Sequence, residues 1–111
     1  MKSEAKTDLD VRLIRNFMDI IILKRLGANR LTSGYDLIKY FHQKFHMLVS
    51  SGSIYSTLYS LERQGLIEGN SDGRKRIFRI SAQGKEFLNR ICLGSQRSHF
   101  IFSSILSNPD A

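Results

Sequence analysis

Cysteine is nearly absent from this sequence, since Cys92 is the only one. A single thiol cannot form an internal disulfide, and it leaves no pair of cysteines at zinc-binding spacing. Long apolar runs are also missing, because the longest, Ile20 to Leu23, is far too short to span a bilayer. Residues 1–10 are polar and acidic, so no signal peptide is predicted. These absences favour a cytoplasmic protein with no membrane partner.

Sequence patterns for catalysis are equally scarce. The chain has no Gly-rich phosphate loop and no serine-nucleophile elbow. His42 and His46 lie four residues apart on one predicted helix, a spacing that can bind metal, but no glutamate follows His42 as it does in metalloproteases. We therefore predict no enzyme, no metal site and no cofactor. Cys92 is expected to pack in a helical interface rather than to act as a redox sensor.

Acidic residues are few relative to basic ones. The sequence has 10 Asp and Glu against 17 Lys and Arg, which gives a net charge of +7. Such an imbalance in a small domain favours a polyanionic partner. With 111 residues, 41% of them hydrophobic, the chain is expected to form a single domain, residues 1–111, with a real core.

The first predicted helix, residues 8–26, is apolar on nearly two faces. Thr7 or Asp8 is expected to cap it after a frayed start over residues 1–7, and Gly27 to end it. One apolar face can pack on the protein's own core, but the other needs a partner. In a chain this short, the pattern favours a second copy and hence a homodimer.

Two shorter helices are predicted after a loop at residues 27–32. They cover residues 34–45 and residues 52–64, and serine or threonine residues directly before each of them are expected to act as caps. The apolar residues of the third helix recur at positions i, i+4 and i+7, which places them on one inner face. They are Ile54, Leu58 and Leu61.

A basic hairpin and a final helix complete the pattern. Residues 66–68 are strand-like, residues 70–73 form a turn cluster, and residues 74–80 alternate between charged and apolar. Ser81 begins the last helix, with a kink expected near Gly94. The order of helix, helix, helix, hairpin and helix describes a winged helix-turn-helix, mainly α with a small β-hairpin. The boundaries are residues 8–81 for the winged helix-turn-helix core and residues 82–107 for a C-terminal dimerisation helix.

The face of the third helix opposite its apolar residues is rich in short hydroxyl side chains, where a plain surface helix would carry Glu and Lys. Such side chains let a helix lie deep in a major groove, and Arg63 can pair with guanine or phosphate. Glu62 is expected to lie near the apolar side, screened from DNA. Arg74, Lys75 and Arg76 follow the hairpin turn, where they can reach a minor groove or the backbone. The alternative is a solvated helix face and a solvated charge run.

Three segments together resemble the PadR-type transcriptional regulators. Residues Ser33 to Leu37 are similar to the Gly-Tyr pair that opens the family's second helix. Residues Gly52 to Ile67 are similar to its recognition helix, Gly-Thr-Leu-Tyr-Pro-x-Leu, and to the Leu-Glu-x-x-Gly-Leu-Ile motif that ends it. Residues Arg79 to Lys85 are similar to the Thr-x-x-Gly motif that follows the family's hairpin, which is called the wing. The resemblance spans about residues 20 to 90. Departures include Ser56 in place of a frequent proline and Ser81 in place of threonine.

This resemblance implies a dimeric DNA-binding regulator, with Tyr35, Tyr55 and the wing cations as backbone contacts. A core-edge position is the alternative for Tyr35, and a buried ring that exposes only its hydroxyl is the alternative for Tyr55. The full set of predicted DNA-binding residues is Tyr35, Ser51, Ser53, Tyr55, Ser56, Thr57, Tyr59, Ser60, Arg63, Arg74, Lys75 and Arg76.

The predicted partners are double-stranded DNA and a second copy of the chain, and the predicted regulator is a repressor. The residues expected at the dimer interface are Leu13, Phe17, Ile21, Leu88, Ile91, Phe102 and Ile105. The family resemblance also implies a small hydrophobic effector, whose identity the residues do not indicate. The alternative function is a winged-helix protein-interaction module that does not bind DNA.

Overall fold

The computed structural model describes residues 7–28 and 31–109. Residues 1–6 of the predicted frayed start and residues 29–30 of the predicted loop lie outside this range. The predicted fold class is confirmed, because a helical core is followed by a basic hairpin and further helices. The elements are α1 (Asp8–Asn16), α2 (Met18–Leu26), β1 (Thr32–Ser33), α3 (Gly34–Phe45), α4 (Ser51–Arg63), β2 (Ile67–Asp72), β3 (Lys75–Ile80), α5 (Ala82–Leu93) and α6 (Ser95–Leu106).

The first predicted helix is in fact two helices, so the prediction of one continuous helix is wrong at Phe17. There α1 ends and α2 begins, and the Phe17 backbone (φ −114°, ψ 16°) is not helical. The Ile20 amide donates a hydrogen bond to the Asp19 carboxylate at 2.8 Å. This bond satisfies an amide of the first turn of α2, where backbone N–H groups have no partner within the helix. Gly27 follows the end of α2, as predicted.

The core lies between α2, α3, α4 and the inner side of the wing, which is the hairpin of β2 and β3. Its buried apolar residues are Met18, Ile22, Leu23, Leu26, Leu37, Phe41, Ile54, Leu58, Leu61, Ile67, Phe78 and Ile80. The predicted inner face of the third helix is therefore confirmed. Neither α1 nor α6 has a buried residue in the described structure. The apolar side chains of these two helices face outward or lie half-buried.

Serine caps determine where the two helices of the helix-turn-helix begin. The Ser33 hydroxyl accepts a hydrogen bond from the Asp36 amide at 3.1 Å, and the Asp36 carboxylate accepts one from the Ser33 amide at 3.2 Å. This reciprocal capping box starts α3. The Ser50 hydroxyl accepts from the Ser53 amide at 3.1 Å and starts α4 one residue earlier than predicted.

A glycine and a serine hold the other end of α4. Gly65 adopts φ +78°, and the next amide, of Leu66, donates back to the Leu61 carbonyl at 3.0 Å. This is the Schellman arrangement that commonly closes helices. The Ser81 hydroxyl donates to the Gly65 carbonyl at 2.6 Å and accepts from the Gly84 amide at 3.0 Å. Ser81 thus caps α5 and also ties it to the end of α4.

The wing is an antiparallel hairpin with a tighter turn than predicted. The strands pair from Ile67 and Ile80 out to Asp72 and Lys75, so residues 70–72 belong to β2 rather than to a turn. The turn consists of the two residues between the strands, and Gly73 adopts φ +65° there. Two-residue hairpin turns require positive φ, which glycine adopts without strain.

A third strand, β1, was not predicted from the sequence. Thr32 pairs with Phe78 and Ser33 with Ile77, which gives a sheet in the order β1-β3-β2. This short strand attaches the wing directly to the residue that caps α3. The wing and the helix-turn-helix are therefore held together by backbone hydrogen bonds.

The predicted kink near Gly94 is confirmed, because α5 ends and α6 begins there. The expected C-terminal helix is thus a pair of helices. Cys92 is exposed in the protomer, so it does not pack between helices of its own chain. Across residues 7–28 and 31–109, no helix combines the length and apolar character that crossing a bilayer requires.

Candidate nucleic-acid interface

Helix α4 turns small polar side chains to the solvent because its opposite face is buried in the core. The exposed residues among those predicted to bind DNA are Ser51, Ser53, Ser56, Tyr59 and Arg63. Short hydroxyl groups can approach base edges and phosphates closely, and they both donate and accept hydrogen bonds. Arg63 adds a cation in the last turn of the helix. This face has the shape and chemistry of a major-groove reader.

Two other predicted contact residues of α4 are half-buried and already hydrogen-bonded. The Thr57 hydroxyl donates to the Ser53 carbonyl at 2.8 Å. The Ser60 hydroxyl accepts from the Gln64 side-chain amide at 3.1 Å. These two side chains therefore lie at the edge of the exposed face, and Ser56 and Tyr59 lie nearer its centre.

Tyr55 packs on the first turn of α3. A Cβ atom on Gly34 would lie 2.6 Å from the Tyr55 hydroxyl oxygen, so the tyrosine ring occupies the space that a side chain at position 34 would need. The Tyr55 ring also lies 6.1 Å from the Tyr59 ring. Tyr55 thus joins α3 to α4 by packing, and its side chain is half-buried.

Tyr35 lies at the start of α3 and is 66% exposed, so the core-edge alternative for this residue is wrong. The Lys39 ammonium, one turn later, lies 5.7 Å from the Tyr35 ring centroid. That distance allows a cation–π interaction. Sequence reasoning had not singled out Lys39, although the i, i+4 spacing places both side chains on one face.

The acidic residue between them, Asp36, is engaged in the capping box. Hydrogen bonds from Ser33 hold the pKa of Asp36 below its usual value, although partial desolvation opposes this. The charges of Lys75 and Lys39 lower the pKa further. The Asp36 charge is therefore offset by a helix start and by two cations.

The three predicted wing cations do not behave alike. Arg74 lies in the turn and Lys75 begins β3, and both are exposed. Arg76 instead forms a two-pronged ion pair with Glu62 of α4, with N–O distances of 2.8 and 2.9 Å. These hydrogen bonds lower the pKa of Glu62 and raise the pKa of Arg76, while desolvation opposes both shifts. The structure therefore presents two cations at the wing tip rather than three.

Arg15 of α1 is a cation that sequence reasoning missed. It lines a crevice with Ser53 on one side and a second crevice with Ser56 on the other. Its position depends on how α1 packs beside α4. No local pattern in the sequence indicates that packing.

The residues predicted at a dimer interface fall into inward and outward groups. Ile21 and Leu88 pack partly against the protomer's own core. The Phe17 and Phe102 rings contact each other, with centroids 6.3 Å apart, so α6 folds back to the junction of α1 and α2. Ile105 is 71% exposed. The half-buried members of the predicted set also include Leu13 and Ile91.

Helix α6 leaves a set of large apolar side chains exposed. They are Phe100, Ile101, Ile105 and Leu106. Large apolar side chains gathered on one exposed helix commonly mark a contact with another protein. The protomer alone does not cover it.

A hydroxyl-rich helix held on a three-helix core, beside a hairpin with a cationic tip, defines the winged helix-turn-helix class of regulators. The profile of the Transcriptional regulator PadR-like family matches residues 22–90, more than half of the chain. The chain belongs to this family, which confirms the resemblance found in its sequence. The members of this family are transcription regulators, so the chain is a regulator and not an enzyme. No curated protein matches the chain significantly.

Solved structures share this fold over most of the chain. A protein of Thermoplasma acidophilum described as a candidate transcriptional regulator is 25% identical, with a TM-score of 0.72 over 86% of this chain and 93% of its own. A transcriptional regulator of Clostridium thermocellum is 20% identical, with a TM-score of 0.76 over 93% of this chain and 100% of its own. A PadR family transcription regulator of Clostridium difficile is 22% identical, with a TM-score of 0.71 over 82% of this chain and 99% of its own.

Proposed function

We propose that this protein is a sequence-specific repressor that binds double-stranded DNA as a homodimer. In this arrangement α4 lies in the major groove and the wing lies on the backbone or in the minor groove. The observation that carries the proposal is the exposed face of α4 around Ser56 and Tyr59. Tyr35 on α3 and Arg74 and Lys75 on the wing are exposed as well. The net charge of +7 suits a polyanionic partner.

The homodimer is supported by the exposed apolar side chains of α6. A two-fold pair of protomers would cover them and would present two copies of α4. Such a dimer reads a near-palindromic operator with half-sites about 34 Å, or a multiple of it, apart. A dimer bound over a promoter blocks access of the polymerase. Transcription from a template that carries the selected site tests the sign of regulation, and a rise in transcript would identify an activator.

The test of α4 as the reader begins with selection of bound sequences from a random duplex library. We expect Ser56→Ala and Arg63→Ala to lower the affinity for the selected site. A lost base contact costs about 1–3 kcal/mol at its cognate pair and much less on non-specific DNA. Ser60→Ala should have a smaller effect, because that hydroxyl is bound within the helix. The measurement is the ratio of specific to non-specific affinity at fixed salt.

Ser103→Ala is the matched control, since it removes an exposed hydroxyl from α6, a helix outside the helix-turn-helix. If Arg63→Ala weakens binding to all sequences alike, Arg63 contacts phosphate rather than a base. An unchanged ratio for Ser56→Ala and for a double change at Ser53 and Ser60 would mean that α4 does not read the sequence. A wild-type protein that shifts no duplex at low salt would favour the protein-interaction alternative.

A further inference from the structure

The ion pair between Arg76 and Glu62 joins the wing to the recognition helix. Its two hydrogen bonds are parallel, Nη1 to Oε1 at 2.8 Å and Nη2 to Oε2 at 2.9 Å, and both side chains are largely shielded, with 38% and 28% of their surface exposed. The pair formed by Arg79 and Glu68 on the same hairpin is longer, at 3.6 Å, and more exposed. Two-pronged pairing fixes orientation as well as distance. The Arg76 pair is thus the better-ordered link.

The surroundings of Arg76 are shaped to hold its guanidinium. The guanidinium carbon lies 5.9 Å from the ring centroid of Tyr59 and 5.4 Å from that of Phe78. A Cβ on Gly69 would lie 3.0 Å from a Glu62 carboxylate oxygen and 3.1 Å from the guanidinium carbon. The glycine therefore leaves the space in which the pair forms.

Pairing changes what Arg76 can offer to DNA. Its guanidinium is paired with a carboxylate 2.8 Å away, whereas Arg74 and Lys75 beside it are exposed. Its contact with Tyr59 reaches a side chain that is 42% exposed on the proposed DNA-reading face of α4. Arg76 thus lies close both to Phe78, the wing's own core residue, and to Tyr59 on the reading face.

We infer that Arg76 is a positioning residue rather than a phosphate contact. With Glu62 it sets the angle between the wing and α4, and it holds the Tyr59 ring in place on the DNA-reading face. The inference rests on the proposed DNA-binding function. It assigns to the third wing cation a role in sequence specificity that its position in a basic run does not indicate.

The test compares Arg76→Ala, Arg76→Lys and Glu62→Gln with wild type on the selected operator and on non-specific duplex, over a range of salt. Arg76→Ala should lower the ratio of specific to non-specific affinity about tenfold, the size of one good base contact. The slope of log K against log salt should stay at the wild-type value. Arg76→Lys should lower the ratio too, because it keeps the charge but loses the planar fork.

Glu62→Gln separates the two roles most sharply. If Arg76 positions the helix, Glu62→Gln lowers the ratio of specific to non-specific affinity. The double variant with Arg76→Ala then has a ratio no lower than that of either single variant. If Arg76 contacts phosphate, Glu62→Gln leaves the ratio unchanged, and Arg76→Ala reduces the salt slope by about 0.9. That second pattern would overturn the inference while the proposed function stands.

Arg79→Ala and Glu68→Gln are matched controls, since they break the exposed pair on the same hairpin and should leave the ratio unchanged. Thermal unfolding of each variant checks that it is folded. If Arg76→Ala does not fold, Arg76→Lys and Glu62→Gln carry the test. If wild type binds no duplex, the proposed function fails first and this inference fails with it.

Discussion

At the scale of single residues, the contact between Gly34 and Tyr55 gives a physical reason for a glycine at the start of α3. Gly34 is buried, and the Tyr55 ring lies where a side chain on it would project. The constraint is one of space, and it comes from a residue 21 positions further along the chain. Glycine and tyrosine are thus a matched pair at the crossing of α3 and α4.

Gly34→Ala should therefore destabilise the protein by about 1–3 kcal/mol, the usual cost of overpacking. The cost should fall sharply when the same change is made in a Tyr55→Ala background. Urea unfolding of the two single variants and the double variant measures this coupling. Gly52→Ala is the control, because a Cβ on Gly52, at the start of α4, would meet only the Ser50 hydroxyl oxygen, at an ordinary contact distance of 4.0 Å.

For Gly52→Ala we expect no loss and a gain of up to about 1 kcal/mol, since alanine favours the helix. Equal effects of Gly34→Ala with and without Tyr55 would contradict the packing explanation.

At the scale of elements, the wing consists of a paired base and a cationic tip. Its base is held by β1 on one side and by the Arg76 pair with Glu62 on the other. Its tip carries Arg74 in the turn and Lys75 at the start of β3, and both side chains are exposed. The base determines where the wing points, and the tip supplies its charge.

Replacing Arg74 and Lys75 together by alanine should weaken binding to all duplexes alike. Each lost phosphate contact lowers the slope of log K against log salt by about 0.9, so a loss of up to about 1.8 is expected. Binding titrations from low to moderate salt measure the slope. Lys85→Ala with Arg90→Ala is the control, because it removes the same charge from the exposed side of α5. A slope unchanged by the wing substitutions would place the wing tip away from DNA.

At the scale of the whole molecule, the protomer is elongated, with extents of 56 × 31 × 23 Å. Helices α5 and α6 carry few buried residues, and α6 presents apolar side chains to the solvent. An elongated protomer with an uncovered apolar helix is well suited to two-fold pairing through that helix.

Ile101→Glu with Ile105→Glu should give monomers and weaken operator binding, since a half-site holds one protomer less tightly than a full site holds two. Both residues are exposed in the protomer, so the change should leave its fold intact. Gln43→Glu is the control, because it places an acidic charge at an exposed position of α3, outside the proposed interface. Sedimentation at micromolar concentration measures the assembly. A wild-type monomer at that concentration would contradict the proposed dimer.

Local sequence signals were sufficient for the helix-turn-helix and for the outline of the wing. The spacing of Ile54, Leu58 and Leu61 predicted both the third helix and its buried face, because helical periodicity is a property of neighbouring residues. Gly65 predicted the end of α4 and Gly94 predicted the break between α5 and α6, and both predictions used only neighbouring residues. The match to the PadR-like family follows from such local motifs.

Tertiary structure alone decided which polar residues of the site are available. Arg76 belongs to a basic run in the sequence, but β3 brings it to Glu62, and the fold places the Tyr55 ring against Gly34. The two-residue strand β1 and the position of Arg15 beside α4 likewise depend on distant partners. Periodicity and caps are written in a few neighbouring residues, whereas ion pairing and ring packing depend on which elements meet in space. The sequence by itself therefore determined the class of protein and the helix that we propose as the DNA reader, and the packing of α3, α4 and the wing decided which of its side chains are exposed.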